Sequence, residues 1–392
     1  MLTNDQYIAL SMLNHWYRKY NQQIIDISGT IGTGLWELIR EFVEGSKLDS
    51  REVMYLSLNQ REVLDLAYQR YHSYHLNNVL YRYDRLVNFD TIPVINPNSR
   101  SLEINWRKKL RGKVDPKYKL IVVFDSSLLS HQTILDLSSF YLPIILLRDP
   151  MLIPIPETYT FLRDPNIELN EISDRGLKSP INYFAHKILR GERLEYGTYG
   201  SVNVIPRKQF NLNNLKTSDM VVTISSSLRD ELNKLYREKV MKRKDIINVV
   251  NERVIVANTL YKRKLKNPDN EKVKVYLTKG SVGYLTKVNK HPMYTKYVGV
   301  DFKPDFYHET FTDLMMDRHH LNKIDASSQQ LIPDEIFQVD YAYALSAVDS
   351  RLGYWDKVTL VIDNNELDIP ELQRRLIYTA ITRAKRSLTI IL

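Results

Sequence analysis

Ile24-Ile25-Asp26-Ile27-Ser28-Gly29-Thr30-Ile31-Gly32-Thr33-Gly34-Leu35-Trp36 is the stretch from which the architecture can be read. An apolar β run over residues 24–27 enters a turn holding three glycines, and a helical pattern resumes over residues 35–42. Glycines in such a turn let backbone N–H groups approach a ligand closely, and the N-terminus of the following helix adds positive potential. Strand, Gly-rich turn and helix in that order form the opening unit of a P-loop α/β domain.

The pattern around this unit agrees with it. Residues 7–20 predict an amphipathic helix, residues 53–58 a second strand and residues 61–81 a long helix. The continuous apolar runs 120–124 and 143–147 have the texture of strands buried in a parallel sheet. Residues 88–117, polar and rich in Pro and Asn, read as a small insertion. A second α/β unit is expected to start near Ile167, with a helix over 180–189, a strand over 220–224 and a helix over 227–239. Residues 241–334 change texture to short β runs, basic residues and turns such as Lys279-Gly280-Ser281-Val282-Gly283-Tyr284, which suggests an inserted β-barrel-like module. The α/β pattern then returns with a strand over 358–362, a helix over 370–384 and a strand over 388–392.

Bulk properties set outer limits. A length of 392 residues suggests about two or three domains. No apolar run approaches the roughly 20 residues that span a bilayer, and the N-terminus has neither the basic region nor the apolar core of a signal peptide. The expected location is therefore cytoplasmic, the host cytoplasm if the chain is phage-encoded, with no membrane partner and no secretion. With no cysteine, disulfides and thiolate metal sites are excluded. A net charge of +9 favours a polyanionic partner, nucleic acid being the commonest, against the alternative of a generally basic surface. Abundant Tyr, Asn, Lys and Ile fit an AT-rich genome such as a phage's.

Residues 29–36 occupy the frame of a Walker A loop, G-x-x-x-x-G-K-[ST]. Leu35 stands where the phosphate-binding lysine belongs and Trp36 where the Mg²⁺-binding hydroxyl belongs. Further on, Arg375-Leu376-Ile377-Tyr378-Thr379-Ala380-Ile381-Thr382-Arg383-Ala384-Lys385 closely resembles the last conserved motif of superfamily 1 helicases. Gly280-Ser281-Val282-Gly283 resembles the turn of their SH3-like insertion, and Ser227-Leu228-Arg229-Asp230-Glu231-Leu232-Asn233 the start of a helix in their second RecA-like domain. Leu2-Thr3-Asn4-Asp5-Gln6 is similar to their adenine-reading Q-motif, with Gln6 as the amide. In family order and over essentially the whole chain, the sequence resembles superfamily 1 (subgroup B) DNA helicases of the Dda and RecD type.

This resemblance implies an α/β fold with two RecA-like P-loop domains. The first would cover residues 1–165 and the second residues 166–240 and 335–392, with an SH3-like module over 241–334. It also implies which residues handle nucleotide, and most of those positions depart from the pattern. Beside the Walker B Asp125, the water-activating acid has become Ser126; Leu152 replaces the γ-phosphate-sensing glutamine; Asp174 occupies the place of an arginine, which a one-residue shift would restore as Arg175. Gln6, Gly29, Gly32 and Gly34 would outline a vestigial nucleotide cleft, with Asp125 and the γ-phosphate-reaching Arg383 retained. Hydrolysis depends on cations and donors that neutralise developing phosphate charge, and on a carboxylate that orients water. The expectation is a degenerate, ATPase-dead member that needs no cofactor. ATP and Mg²⁺ belong only to the alternative of an active helicase with a divergent site. Leu35 and Trp36 would either fill the cleft or, for Trp36, pack on its own helix.

The residues that would touch DNA are also altered. His75 keeps the histidine of a T-x-H pattern, Ser346 replaces a phosphate-contacting threonine, and Arg351 falls in the eroded H-K-S-Q-G stretch, where Asp349 has changed a charge. Basic residues gather around the β module, from Lys239 to Lys266, and at Trp106-Arg107-Lys108-Lys109. Basic side chains near an aromatic can bind a strand by phosphate neutralisation and stacking, although charge runs are commonly solvated faces. His319-His320 with Asp317 reads as a loop surface rather than a metal site. The expected role is an accessory factor in phage DNA replication or recombination, holding single-stranded or junction DNA or docking on replication, recombination or virion proteins. The alternative is a structural or protein-interaction component without DNA binding.

Overall fold

The computed structural model describes residues 2–85, 106–110, 114–153, 164–243, 250–257, 260–266, 272–290, 297–305, 310–317, 337–362 and 370–392. Two compact units divide the chain, one of residues 1–80, 111–229 and 345–392, the other of residues 81–110 and 230–344.

The first unit is α/β and contains two six-stranded sheets. In one the strand order is Ser73–His75, Val53–Ser57, Leu120–Val123, Ile144–Arg148, Ile24–Gly29 and Ile167–Leu169, all parallel. Its central strands are buried on both faces, which accounts for their unbroken apolar runs. The core around them takes Leu13 and Trp16 from the N-terminal helix Asn4–Lys19, and Leu38, Ile39 and Phe42 from the helix Leu35–Gly45. The other sheet runs Ala344–Ser346, Met220–Thr223, Trp355–Val361, Ala384–Ile391, Val202–Ile205 and Gly197–Tyr199, with the last strand antiparallel to its neighbour.

Two expectations are corrected here. Residues 167–169 do not open the second α/β unit; they complete the first sheet by pairing with the P-loop strand, Ile27 opposite Ile167. The helix expected over 61–81 is a helix Gln60–Tyr68, an edge strand Ser73–His75 and a short helix Leu76–Leu80. Arg70, at φ +67°, ends the first of these in the left-handed conformation. Tyr71 N–H then bonds Leu66 O at 3.0 Å and Arg70 N–H bonds Ala67 O at 2.9 Å, the paired closure of a Schellman cap.

The second unit contains a five-stranded antiparallel sheet in the order Phe311–Asp317, Tyr297–Pro304, Val282–Lys290, Arg253–Val256 and Val339–Tyr341. Two hairpin ladders accompany it, Leu260–Lys266 with Lys272–Leu277 and Tyr81–Arg85 with Trp106–Leu110. Gly280, at φ +88°, makes the turn expected before Val282. Glu252, fully buried, takes bonds from Arg237, Arg243 and the Tyr343 hydroxyl, so its charge is paired and its lone pairs are used. Among the described residues no helix is long and apolar enough to cross a membrane.

Candidate functional site

The Gly-rich turn lies where its sequence implies, after the strand Ile24–Gly29 and before the helix Leu35–Gly45. Gly34 caps that helix at φ +78° and Gly32 sits at φ +90°, a left-handed backbone that L side chains rarely adopt. A Cβ on Gly34 would also run into Gln6 Nε2. Gln6, 1% exposed, is committed at both ends of its amide. Its Nε2 donates to Thr33 O at 2.7 Å, and its Oε1 accepts from Thr3 N–H at 2.9 Å in a capping box. It braces the turn.

A cleft of about 550 Å³ opens in front of this turn. Gly29, Gly32, Gly34, Leu35, Trp36, Asp125, Leu152, Arg175 and Arg383 line it, so the structure brings together most positions the sequence singled out. Trp36 does not simply lie along its own helix. Its ring packs at 5.0 Å from Tyr71, 5.6 Å from Phe124 and 5.7 Å from Tyr55, an aromatic cluster reaching to the strand Val53–Ser57. Leu35 packs against the same core, so both side chains line the cleft with hydrocarbon.

Asp125 follows the strand Leu120–Val123 in a left-handed conformation (φ +48°), and burial pushes its carboxyl above the usual range while Arg383 and Arg351 oppose the shift. The Ser126 hydroxyl beside it is buried without a hydrogen-bond partner. Sequence reading missed Glu62. It enters the cleft from the helix Gln60–Tyr68 and accepts from Ser57 Oγ at 2.6 Å; burial first, then the charge of Asp125, push it up to about 8. No motif in the sequence marks a carboxylate at Glu62 beside Asp125.

The opposite wall closes on the turn through direct bonds. Tyr378, on the helix Glu371–Ile381, accepts from Ile31 N–H at 2.9 Å and donates to Asp149 Oδ2. His186 Nε2 lies 2.8 Å from Ile31 O, and Ser173 Oγ donates to Gly32 O at 2.9 Å. Thr379 Oγ1 accepts from Ile153 N–H at 2.9 Å, and Arg375 donates to Pro150 O and Leu152 O. A second seam joins Arg61 to Tyr354 O at 2.9 Å and the Tyr354 hydroxyl to Asp65 at 3.1 Å. Arg383 is held within its own wall, donating to Thr379 O, Arg351 O, Gly353 O and Thr382 Oγ1. Asp174 is exposed and does not line this cleft, whereas Arg175 lines it and pairs with Glu37 at 3.2 Å.

Leu35 and Trp36 supply neither cation nor hydroxyl, and one backbone donor of the turn is already taken by Tyr378. Among the described residues no group of three or more His, Asp or Glu is placed to hold a metal ion. His319 and His320 lie outside the described residues.

Residues 308–392, which include Tyr378 and Arg383, match the viral superfamily 1 RNA helicase core domain. That segment is related to superfamily 1 helicases. No curated protein sequence matches it. Solved structures similar to this chain include Pif1 from Bacteroides bound to single-stranded DNA, at 10% identity over 100% of this chain and 92% of that one, TM-score 0.44. Another is Pif1 helicase from Candida albicans, at 13% identity over 100% and 94%, TM-score 0.40. A third is the PRRSV helicase, at 12% identity over 97% and 54%, TM-score 0.36.

The helicase-derived DNA contacts are placed differently from the cleft residues. His75 is buried, bonds Leu58 O at 3.1 Å, and is pulled down to about 4 by burial. Ser346, also buried, donates to Asp349 Oδ2 at 2.6 Å, and Arg351 is 2% exposed. None of the three presents an open surface to a strand. Trp106, Arg107, Lys108 and Lys109 lie on a strand that pairs antiparallel with Tyr81–Arg85, Lys109 opposite Arg82 and Trp106 opposite Arg85.

Proposed function

We propose that this protein is a helicase-fold binding factor that works without hydrolysing nucleotide and requires neither ATP nor Mg²⁺. One observation carries the reading: the Walker A turn, with Leu35 and Trp36 in place of lysine and hydroxyl, spends the Ile31 N–H on Tyr378 from the facing wall. Losing one preorganised charge-stabilising donor costs roughly 3–4 kcal/mol of barrier, and several such groups are missing here. In this reading the two RecA-like domains are held together by side chains, and residues 241–334 form an SH3-like insertion in the second.

Nucleic acid is the partner that the net charge of +9 favours, and a Bacteroides Pif1 of similar fold is bound to single-stranded DNA. The role proposed is accessory, in phage replication or recombination. A second reading, a protein-docking part without nucleic-acid binding, is favoured by the burial of His75, Ser346 and Arg351. Gel shifts on single-stranded DNA over a salt series separate the two. Binding that weakens steeply with salt supports the first, and no binding at low salt supports the second. DNA-stimulated ATP turnover that disappears in Arg383→Ala would overturn both.

A further inference from the structure

The strand Gly197–Tyr199 ends its sheet and is bonded on one side only, to Val202–Ile205. The two-residue turn Gly200-Ser201 joins the pair, with Tyr199 opposite Val202 and Thr198 opposite Asn203. In a hairpin closed by two residues the pair next to the turn exchanges its hydrogen bonds. Thr198, one residue back, therefore points its N–H and carbonyl to the open side. Sheet edges are usually blunted by lysine, proline or a bulge, and Gly197-Thr198-Tyr199 carries none of these.

The helix Pro180–Leu189 flanks this edge. A Cβ on Gly200 would come within 3.0 Å of Pro180, so the helix starts against the hairpin turn, and its Phe184 ring lies 5.1 Å from that of Tyr199. Three exposed tyrosines gather here: Tyr183 at 51%, Tyr196 at 54% and Tyr199 at 37%. Apolar surface residues scattered singly need no explanation, but three aromatic rings around one open strand edge do. Charge narrows the partner. The outward stripe of the helix continues from Tyr183 to Lys187 and Arg190, four and seven residues on. Arg190 pairs with Glu192, Arg193 is exposed, and Arg374 reaches Gly191 from the helix Glu371–Ile381, against one remaining acid, Glu195. That end of the edge is cationic.

We infer that this edge is a docking site for an extended acidic peptide segment of a partner protein. The segment adds a strand beside Gly197–Tyr199, seats apolar side chains on Tyr183, Tyr196 and Tyr199, and turns its carboxylates toward Lys187 and Arg193. Backbone pairing sets the register, and the tyrosines supply the burial that three residues of ladder cannot. A nucleic-acid strand has no peptide carbonyl to meet the Thr198 N–H. The Tyr199 ring is also committed, lying over Gly197 and against Phe184. A second copy of this chain would bring cations to a cationic edge. The site stands apart from the cleft, so it does not depend on whether the protein binds nucleic acid.

The test pans wild type against a display library of random twelve-residue peptides and titrates synthetic copies of the enriched ones by fluorescence anisotropy. Enriched sequences should alternate apolar with polar residues, carry Asp or Glu at one end, and slow amide exchange at Thr198. Tyr183→Ala and Lys187→Glu should each bind about 10-fold more weakly. Thr198→Pro removes only the outward donor and should abolish binding, as should N-methylation of the peptide backbone. Single-stranded DNA binding is scored separately in the same proteins, and its absence from wild type counts against the nucleic-acid reading alone. The inference is overturned if no acidic alternating peptide is enriched, or if the variants bind as wild type does. It is equally overturned if Tyr183→Ala loses DNA binding, or dissolves a dimer seen in sedimentation, since another occupant then holds the edge. Should Thr198→Pro not fold, Tyr183→Ala and the N-methylated peptide decide.

Discussion

Replacing Tyr378 by Phe removes one oxygen and two bonds, which makes it the sharpest test of the clasp across the cleft. The hydroxyl donates to Asp149 Oδ2 and accepts from Ile31 N–H at 2.9 Å. A hydrogen bond to a charged group contributes about 1.5–3 kcal/mol and a neutral one about 0.5–1.5 kcal/mol, so Tyr378→Phe should cost about 2–4 kcal/mol where Asp149 is ionised. Burial holds Asp149 at about 6 against the opposing pull of Tyr378, so the phenylalanine variant should titrate higher still. The sign follows. A carboxyl raised in the folded state loses stability as pH climbs from its ordinary value of 3.8 through about 6, and the Tyr378 bond softens that loss. The variant's deficit should therefore be larger at pH 8 than at pH 5, where the acid is protonated and the bond loses its charge assistance. Urea unfolding at both pH values measures it, and a cycle with Asp149→Asn should give a coupling of about 1–2 kcal/mol. Amide exchange supplies a local readout, since residues 30–34 should exchange faster once Ile31 N–H loses its acceptor. A change below about 0.5 kcal/mol at both pH values, with unaltered exchange over 30–34, would refute the clasp.

Three further outcomes are expected. Trp36→Ala should destabilise by about 2–4 kcal/mol in urea unfolding, because the ring contacts Tyr55, Tyr71 and Phe124; a loss under about 1 kcal/mol would mean that the cluster contributes little. Glu62 is raised from 4.5 to about 8, so wild type should lose stability as pH rises across that window, while Glu62→Gln should flatten the profile and be the more stable form at pH 9. His75 is depressed from 6.5 to about 4, so stability present above pH 6.5 should be lost as pH falls toward 4; His75→Gln should remove that slope in thermal melts, whatever its effect at pH 8.

Much of the fold was legible because period and texture carry it. The buried strands around residues 24, 120 and 144 are continuous apolar runs, and the positive-φ glycines of the turn mark where a helix must start. Legibility failed where local chemistry gave no sign. An arginine, not a glycine or asparagine, takes the left-handed position that ends the helix at residue 68, so nothing in the sequence marks a stop there. The strand Ile167–Leu169 is three residues long, and which sheet it joins is settled only by tertiary pairing. The cleft shows the same split. Its floor was visible in a motif frame, but Glu62, His186 and Tyr378 reach it from helices far apart in the chain.

On the proposed reading, those unforeseen residues would let a phosphate-grip fold lose its grip and keep its shape. A nucleotide that bridges two lobes supplies binding free energy to their closed arrangement, and removing it leaves polar groups on both walls that must find other partners or pay for burial. Here the Ile31 N–H and carbonyl meet Tyr378 and His186, and the carbonyls of Pro150 and Leu152 meet Arg375. Each substitution of protein for ligand satisfies a backbone group and needs no turnover.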